Sequence, residues 1–406
     1  MERRRVYVTG IGLVCPHGDE PEAVFDALMR GRSAIALWNR SDVPPVAVAR
    51  TSFAPERWFT KLQLSGVDRV SQCAVAASEL AREDAHWRAD DDPERIGIYV
   101  GTGMGGATAV DDGYEAFRQG KRVAPLTVVA GMTNAAAAQM AMRIGATGPV
   151  VTYSVACASG AMAIAEAHEA ISSGRIDVAV AGGAESLIVP GVVRAWQALQ
   201  ALASPNIDDP ATSCRPFDVS RSGLVLGEGA AMMVLESDDH AAARGASRYA
   251  ELSGCGISCD ASHMTQPDSR GQARAIQQAL RRSSLTPVQV GYCNAHGTAT
   301  RAGDVVECQA LQWVWGTELA HLLVGSTKSM HGHLLGAAGA LEAAITVLAV
   351  HRRQVPPTIA CDHQDPDCGV RLVRGVGVDA PKLQAAISNS FAFGGTNVVL
   401  AFKSLH

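Results

Sequence analysis

The chain has 406 residues, 47% of them hydrophobic and 18% charged, with a formal net charge of -5, so it can bury a large core and lacks the basic face of a nucleic-acid binder. No window supplies the roughly 18 uncharged apolar residues of a membrane-spanning helix, and the three arginines near the N-terminus lead into a glycine-bearing strand rather than a signal sequence. The expectation is a cytoplasmic protein whose ten cysteines are free thiols, with no metal centre built on cysteine pairs.

Short β-branched runs alternate with alanine-rich helical stretches, the pattern of an α/β fold. Strands are expected at Val6–Val14, Ile96–Gly101, Val150–Ala156, Asp177–Gly182 and Gly229–Glu236. Five more follow at Tyr249–Ile257, Val290–Ala295, Leu323–Thr327, Ala385–Ser390 and Asn397–Phe402. The repeated order predicts two related five-stranded halves, residues 1–240 and 241–406, divided in the charged segment that starts at Asp238. Residues Ser204–Ser222, rich in Pro, Asp and Ser, read as a long ordered loop of the kind that lines sites.

Four segments carry candidate chemistry. In Val150-Val151-Thr152-Tyr153-Ser154-Val155-Ala156-Cys157-Ala158-Ser159-Gly160 the cysteine falls at a strand-to-helix junction, where unpaired amides and the helix dipole favour thiolate. Taken alone, Cys157 fits a buried inert thiol at least as well. Asn294-Ala295-His296-Gly297-Thr298-Ala299-Thr300 and Gly325-Ser326-Thr327-Lys328-Ser329-Met330-His331-Gly332-His333 each follow a strand, the place where open α/β sheets put their sites. The turn Asn389-Ser390-Phe391-Ala392-Phe393-Gly394-Gly395-Thr396-Asn397 supplies glycines that let backbone amides approach a reacting oxygen. Lys328 stands out because the chain has only five lysines.

Together these segments, with Arg215-Pro216-Phe217-Asp218 and Leu226-Gly227-Glu228-Gly229, closely resemble the elongating β-ketoacyl-acyl carrier protein synthases of fatty acid and type II polyketide synthesis. The resemblance implies a thiolase-like fold, an αβαβα five-layered sandwich of two related halves. It also implies acyl transfer from a carrier thioester to Cys157, then decarboxylative condensation with malonyl carrier protein. His296 and His333 are the implied catalytic partners, with Lys328 orienting the site through Glu307. Cys157 and Phe393 amides would form the oxyanion hole, with Phe393 as gate. Thr298 and Thr300 would hold the phosphopantetheine arm, which the carrier brings, so that no cofactor of its own is expected. Met104, Phe391, Ala392 and Leu224 would shape the acyl pocket, with Met104 at its floor. Asn294, Glu342, Ser388 and Asn389 match a cluster that binds a monovalent cation in some relatives; a hydrogen-bonded cluster without an ion fits equally. The implied partners are acyl carrier protein, as acyl and malonyl thioesters, and a second subunit, identical or a chain-length-factor-like paralogue, with no nucleic acid or membrane.

Ala392 in place of the usual glycine, with Ser222 and Leu224 in a neighbouring loop, points to a pocket for a specialised polyketide, polyene or fatty chain. Primary fatty acid elongation is the alternative, and a degradative thiolase a more distant one. A chain-length factor without a nucleophile does not fit Cys157. His331 is expected to point away from His333 in an extended loop. Carrier docking is left to Lys61, Arg69 and Arg122.

Overall fold

The computed structural model describes residues 3–405. Its first half carries strands β1 (Val6–Val14), β2 (Ile96–Gly101), β3 (Val150–Tyr153), β4 (Val178–Glu185) and β5 (Gly229–Ser237) in the spatial order β3-β2-β4-β5-β1. In the second half β6 (Ala250–Cys259), β7 (Tyr292–Asn294), β8 (Leu323–Gly325), β9 (Ala385–Phe391) and β10 (Thr396–Lys403) lie in the order β8-β7-β9-β10-β6. Counted from each half's first strand, both orders are third, second, fourth, fifth, first. The directions repeat too: β2 runs parallel to β3 and β4, as β7 does to β8 and β9, while β5 and β10 are antiparallel to both neighbours.

The halves do not keep separate sheets. Tyr7 pairs with Glu251 and Val8 with Ala250, so β1 and β6 join them at a seam, and the two-residue strand Arg371–Leu372 extends the far edge beside β8. Two helices, α3 (Ser159–Ser172) and α6 (Ala338–Arg352), lie between the two halves of this sheet and fill one core with the inward faces of both. Helices α1 (Arg69–Asp84) and α2 (Ala135–Ile144) cover the outer face of the first half, and α4 (Ser269–Arg282) and α5 (Arg301–Trp315) that of the second. This is the αβαβα sandwich.

Residues Leu335–Arg352 are long and apolar enough to cross a membrane by composition, at a mean hydropathy of 1.2, yet 89% of them are buried. A helix that is apolar on every side belongs in a core layer, and α6 supplies one. Where α3 and α6 cross, small residues are required. A Cβ on Gly339 would meet Ser390 Oγ at 2.6 Å and Ala161 Cβ at 2.9 Å, and one on Gly160 would meet the Ala340 backbone at 3.0 Å.

The expected strand to Ala156 stops at Tyr153. Val155 N instead donates to Ser159 Oγ (2.9 Å) and Ala156 adopts φ 49°, which turns the chain sharply into α3. The loop Ser204–Ser222 is ordered, but it does not reach the nucleophile's cavity. Its Phe217, Asp218 and Arg221 are buried and brace the loops that do.

Candidate active site

Cys157 sits in the single turn before α3, and His296 and His333 follow β7 and β8. Sγ of Cys157 and one ring nitrogen of each histidine all lie within 4.8 Å of one another, and all three residues are buried. The imidazoles stand edge to face, their centroids 5.3 Å apart. His333 Nδ1 and Nε2, and His296 Nδ1, have no hydrogen-bond partner. These nitrogens are buried, and both rings line a cavity of about 300 Å³. That cavity is lined by Cys157, both histidines, Thr298, Thr300, Glu307, Leu224, Phe391, Ala392 and Phe393, as the sequence predicted.

Each histidine is held by its backbone, which frees its ring. His333 N donates to Val225 O (2.6 Å) and Gly227 N to His333 O (2.8 Å). His296 N and Gly297 N donate to the two oxygens of Glu307, both at 2.8 Å, and Asn389 Nδ2 adds a third bond at 3.0 Å. Burial drives both imidazoles well below their ordinary pKa, and Lys328 pushes the same way. Both rings are therefore neutral at neutral pH and can donate an N–H without bringing a full charge.

Lys328 makes its contact ion pair with Glu342 on α6, not with Glu307, and its Nζ donates to His296 O (2.6 Å). Glu307 accepts from three N–H donors and feels Lys328 only through space, whereas burial pushes Glu342 up to about 7 against the pull of its lysine partner. Lys328 thus supports the carbonyl of the His296 loop and is not poised as a base.

At Cys157 burial opposes the thiolate that the helix start favours. Burial pushes the Cys157 thiol up to about 12, with Lys328 and a backbone hydrogen bond from Phe393 pulling the other way and Glu185 and Glu342 pushing further up. Desolvation of the charged form outweighs the donors at the helix start, so the resting site holds a neutral thiol beside neutral imidazoles. The Phe393 contact does put that amide at the sulfur, as the oxyanion-hole reading requires.

Met104 is misplaced by the sequence reading. It is 53% exposed and lines a separate apolar groove with Val110, Gly191, Val192 and Ala195. Its own amide reaches back to Glu185 Oε1 (3.3 Å) while Gly105, at φ 64°, turns the chain outward. The wall between groove and cavity is Trp196 on the helix Pro190–Ala198, which touches both and stacks on Phe393 at 6.3 Å. Ala392 does not stiffen the turn through its φ, since the positive angles fall on Gly394 (85°) and Gly395 (80°).

His331 points away from the cavity, though not because its loop is extended. It ends the short helix Lys328–His331, and its ring is satisfied by Gly332 O (2.7 Å) and Thr327 Oγ1 (2.9 Å). Arg69 is not free for docking, because it is half-buried against Glu228 (3.0 Å) and Thr51. Lys61 and Arg122 are exposed. In the cluster matched to a cation site, Asn294 Oδ1, Ser388 Oγ, Asn389 Oδ1 and both oxygens of Glu342 are buried without hydrogen-bond partners, and Glu342 is ion-paired with Lys328.

Three supports went unseen in the sequence. Glu185 accepts from Gly103 N (2.6 Å), Met104 N and Gly336 N (3.0 Å), and so ties the β2 loop to the turn after His333. Asp304 accepts from Ala299 N (3.1 Å) and Phe217 N (2.8 Å), two residues held at positive φ. Arg221 ties Asp304 to Thr300 O (3.1 Å) and Asp365 (2.7 Å). Asp304 had a signal, lying on the same face of α5 as Glu307 at a spacing of three; Arg221 was one residue of the loop Ser204–Ser222, and Glu185 only closed the run Val180–Glu185 that shares in the family resemblance.

Residues 3–241 match the family model "Beta-ketoacyl synthase, N-terminal domain", and residues 249–362 match "Beta-ketoacyl synthase, C-terminal domain". The chain belongs to the β-ketoacyl synthases. It is a condensing acyltransferase of that family. It is 39% identical to 3-oxoacyl-[acyl-carrier-protein] synthase 2 of Vibrio cholerae, over the full length of both chains. It is 40% identical to nodulation protein E of Rhizobium meliloti, over 99% of this chain and 100% of that one. The solved structure titled "The ishigamide ketosynthase/chain length factor" superposes with a TM-score of 0.92 at 32% identity, covering 100% of both chains. A type II polyketide ketosynthase in complex with its acyl-carrier protein, AntDE:AntF, gives 0.92 at 30%, again over 100% of both.

Proposed function

We propose that this β-ketoacyl synthase loads an acyl chain from acyl carrier protein onto Cys157 and extends it with malonyl carrier protein. The observation that carries the reading is the buried trio of Cys157, His296 and His333, with ring nitrogens unpartnered in a cavity fringed by Thr298 and Thr300.

In the first half-reaction an imidazole takes the thiol proton as Sγ attacks the thioester carbonyl. The tetrahedral oxyanion is held by the Cys157 and Phe393 amides, and the carrier thiol leaves with a proton. In the second, the malonyl carbon–carboxylate bond breaks, carbon dioxide departs, and the enolate oxygen is held by N–H groups of His296 and His333. The new carbon–carbon bond forms at the Cys157 acyl carbon, and the sulfur leaves. Preorganised donors of this kind contribute ~3–4 kcal/mol each, because they face developing charge in a buried site. The Thr298 and Thr300 hydroxyls, 3.0 Å apart in the same cavity, would hold the pantetheine arm.

Three further features belong to this reading. The unpartnered acceptors of Asn294, Ser388 and Asn389 suit a monovalent cation, which would balance the nearby carboxylate of Glu307. Exposed Tyr114, Phe117, Val128, Val129, Met132 and Met142 lie on or next to three successive helices, Ala107–Arg118, Thr127–Gly131 and α2, apolar surface suited to a second subunit. Lys61 and Arg122 offer charge to an acidic carrier in the cytoplasm. The acyl chain is a specialised one. Leu224 and Trp196 line the cavity beside Phe393, and the AntDE:AntF neighbour is by its title a type II polyketide ketosynthase bound to a hexaketide. Primary elongation is the competing reading, favoured by the 39% identity to the Vibrio protein.

Mass spectrometry after incubation with acyl carrier thioesters tests the core reading. The acyl mass is expected on the Cys157 peptide of wild type and absent in Cys157→Ala. Loading on another residue, or turnover without malonyl decarboxylation, would refute it. Products made with and without candidate partner subunits decide between specialised and primary chains.

A further inference from the structure

The trio has a second capacity that condensation does not use. Its three ligand atoms are one thiol sulfur and two imidazole nitrogens, all within 4.8 Å of one another. A tetrahedral zinc ion takes sulfur at about 2.3 Å and nitrogen at about 2.0 Å, which sets its ligands roughly 3.3–3.7 Å apart. Rotating side chains by about 1 Å closes the gap, and the cavity beside them leaves room. A metal ligand needs one ring nitrogen with a lone pair not already engaged, and a partner on the other nitrogen only orients the ring. Here His333 has both ring nitrogens free and His296 has Nδ1 free, each buried and without a partner. The backbone anchors hold the histidines while leaving the rings unconstrained.

The surrounding charge permits a dication. The nearby cation, Lys328, is ion-paired to Glu342, while Glu307 and Glu185 stand close behind the histidine loops and the nucleophile. Lys328 acts on both imidazoles and opposes a further positive charge there, while Glu185 and Glu342, each raised to about 7 by burial, act on Cys157 and can ionise to balance a bound cation. A thiolate formed on binding adds a further negative charge in a water-poor cavity, where it counts most.

We propose that Cys157, His296 and His333 form a binding site for a thiophilic divalent ion, Zn²⁺, which blocks acylation by occupying the nucleophile. Binding replaces the S–H bond of Cys157 with a Zn–S bond and releases one proton to solvent. Two neutral imidazoles complete the protein ligands, and a water from the cavity fills the fourth position. No oxidant or reductant is involved. The Cys–His–His set selects Zn²⁺, Cd²⁺ or Cu²⁺ over Mg²⁺ or Ca²⁺, since the latter need oxygen ligands. The site is distinct from the oxygen-lined cation cluster at Asn294 and Ser388, and it goes beyond the condensation chemistry without depending on it.

The test uses the metals alone, without acyl substrate. Cd²⁺ is titrated into the full chain with the sulfur-to-metal charge-transfer band in the ultraviolet as readout, and Zn²⁺ affinity is measured by competition with a chromophoric indicator. One equivalent should bind, with one proton released per ion, so that affinity rises about tenfold per pH unit. Cys157→Ser should abolish the band, and so should prior alkylation of wild-type Cys157 with iodoacetamide, which does not depend on a variant folding. His333→Ala should weaken Zn²⁺ by at least tenfold. Cys259→Ser, which removes the exposed thiol, should change nothing, and Mg²⁺ should not compete. A band that survives alkylation of Cys157, or a Zn²⁺ affinity unmoved by His333→Ala, overturns the proposal. Neither outcome bears on whether the enzyme condenses acyl chains.

Discussion

Replacing Lys328 by methionine removes the cation that balances Glu342 while keeping most of the buried volume. Both side chains are at most 1% exposed. Deleting one partner of such a pair leaves an uncompensated buried charge and costs ~3–5 kcal/mol, more than the pair itself contributes. The pair is therefore tested by removing both charges. Lys328→Met/Glu342→Gln should recover most of the lost stability, because a neutral amide in the same volume needs no counter-ion. Activity should not return with it, since His296 O has lost its 2.6 Å donor. The pH dependence has a fixed sign. The folded Glu342 carboxyl is already raised to about 7, and without Lys328 it rises further. A raised folded pKa contributes stability at low pH that is lost as pH rises. The deficit of the single variant should accordingly be small near pH 5 and grow toward pH 8. Urea unfolding of wild type, Lys328→Met and the double variant at both pH values measures this. A single variant as stable as wild type at pH 8, or a double variant no better than the single one, would falsify the assignment of Glu342 as the partner of Lys328.

His296→Ala and His333→Ala should each lower condensation by about 10²–10³-fold, the loss of one oxyanion donor, with malonyl decarboxylation falling in parallel in a coupled assay. Trp196→Ala should open the cavity to the groove beyond it and shift loading on Cys157 toward longer acyl chains, read by mass spectrometry of a mixed acyl-carrier pool; an unchanged profile would mean the wall lies elsewhere. His240, held between Glu236 (2.5 Å) and Asp91 (2.9 Å), is pushed up to about 8. Its stabilisation is fully present below about pH 6.5 and fades as pH rises through 8, by about 2 kcal/mol in all. Unfolding at pH 6 and pH 9 should show that loss in wild type and lack it in His240→Gln.

The strands and the four chemical segments were legible because they are local patterns: β-branched runs closed by glycine, and small residues flanking a cysteine or histidine at a strand end. What stayed hidden depends on contacts between distant segments. Nothing in the sequence says that β1 and β6 pair through Tyr7 and Val8, since a seam of two residue pairs leaves no periodicity. Lys328 was assigned to Glu307 from the family resemblance, whereas its ion pair with Glu342 joins two segments that no local pattern links. Met104 was read from its motif as a pocket residue, but the turn at Gly105 decides its direction. Trp196 carries no motif at all, and its place against Phe393 comes from the helix that bears it.

Both central helices begin at the reaction. Cys157 immediately precedes α3, after the third strand of the first half, and His333 shortly precedes α6, after the third strand of the second. The two loops are topological equivalents, and the crossing at Gly160 and Gly339 brings their ends face to face. The repeated topology thus has a chemical reading: the same loop position carries the cysteine in one half and a histidine in the other, and neither half alone holds the trio.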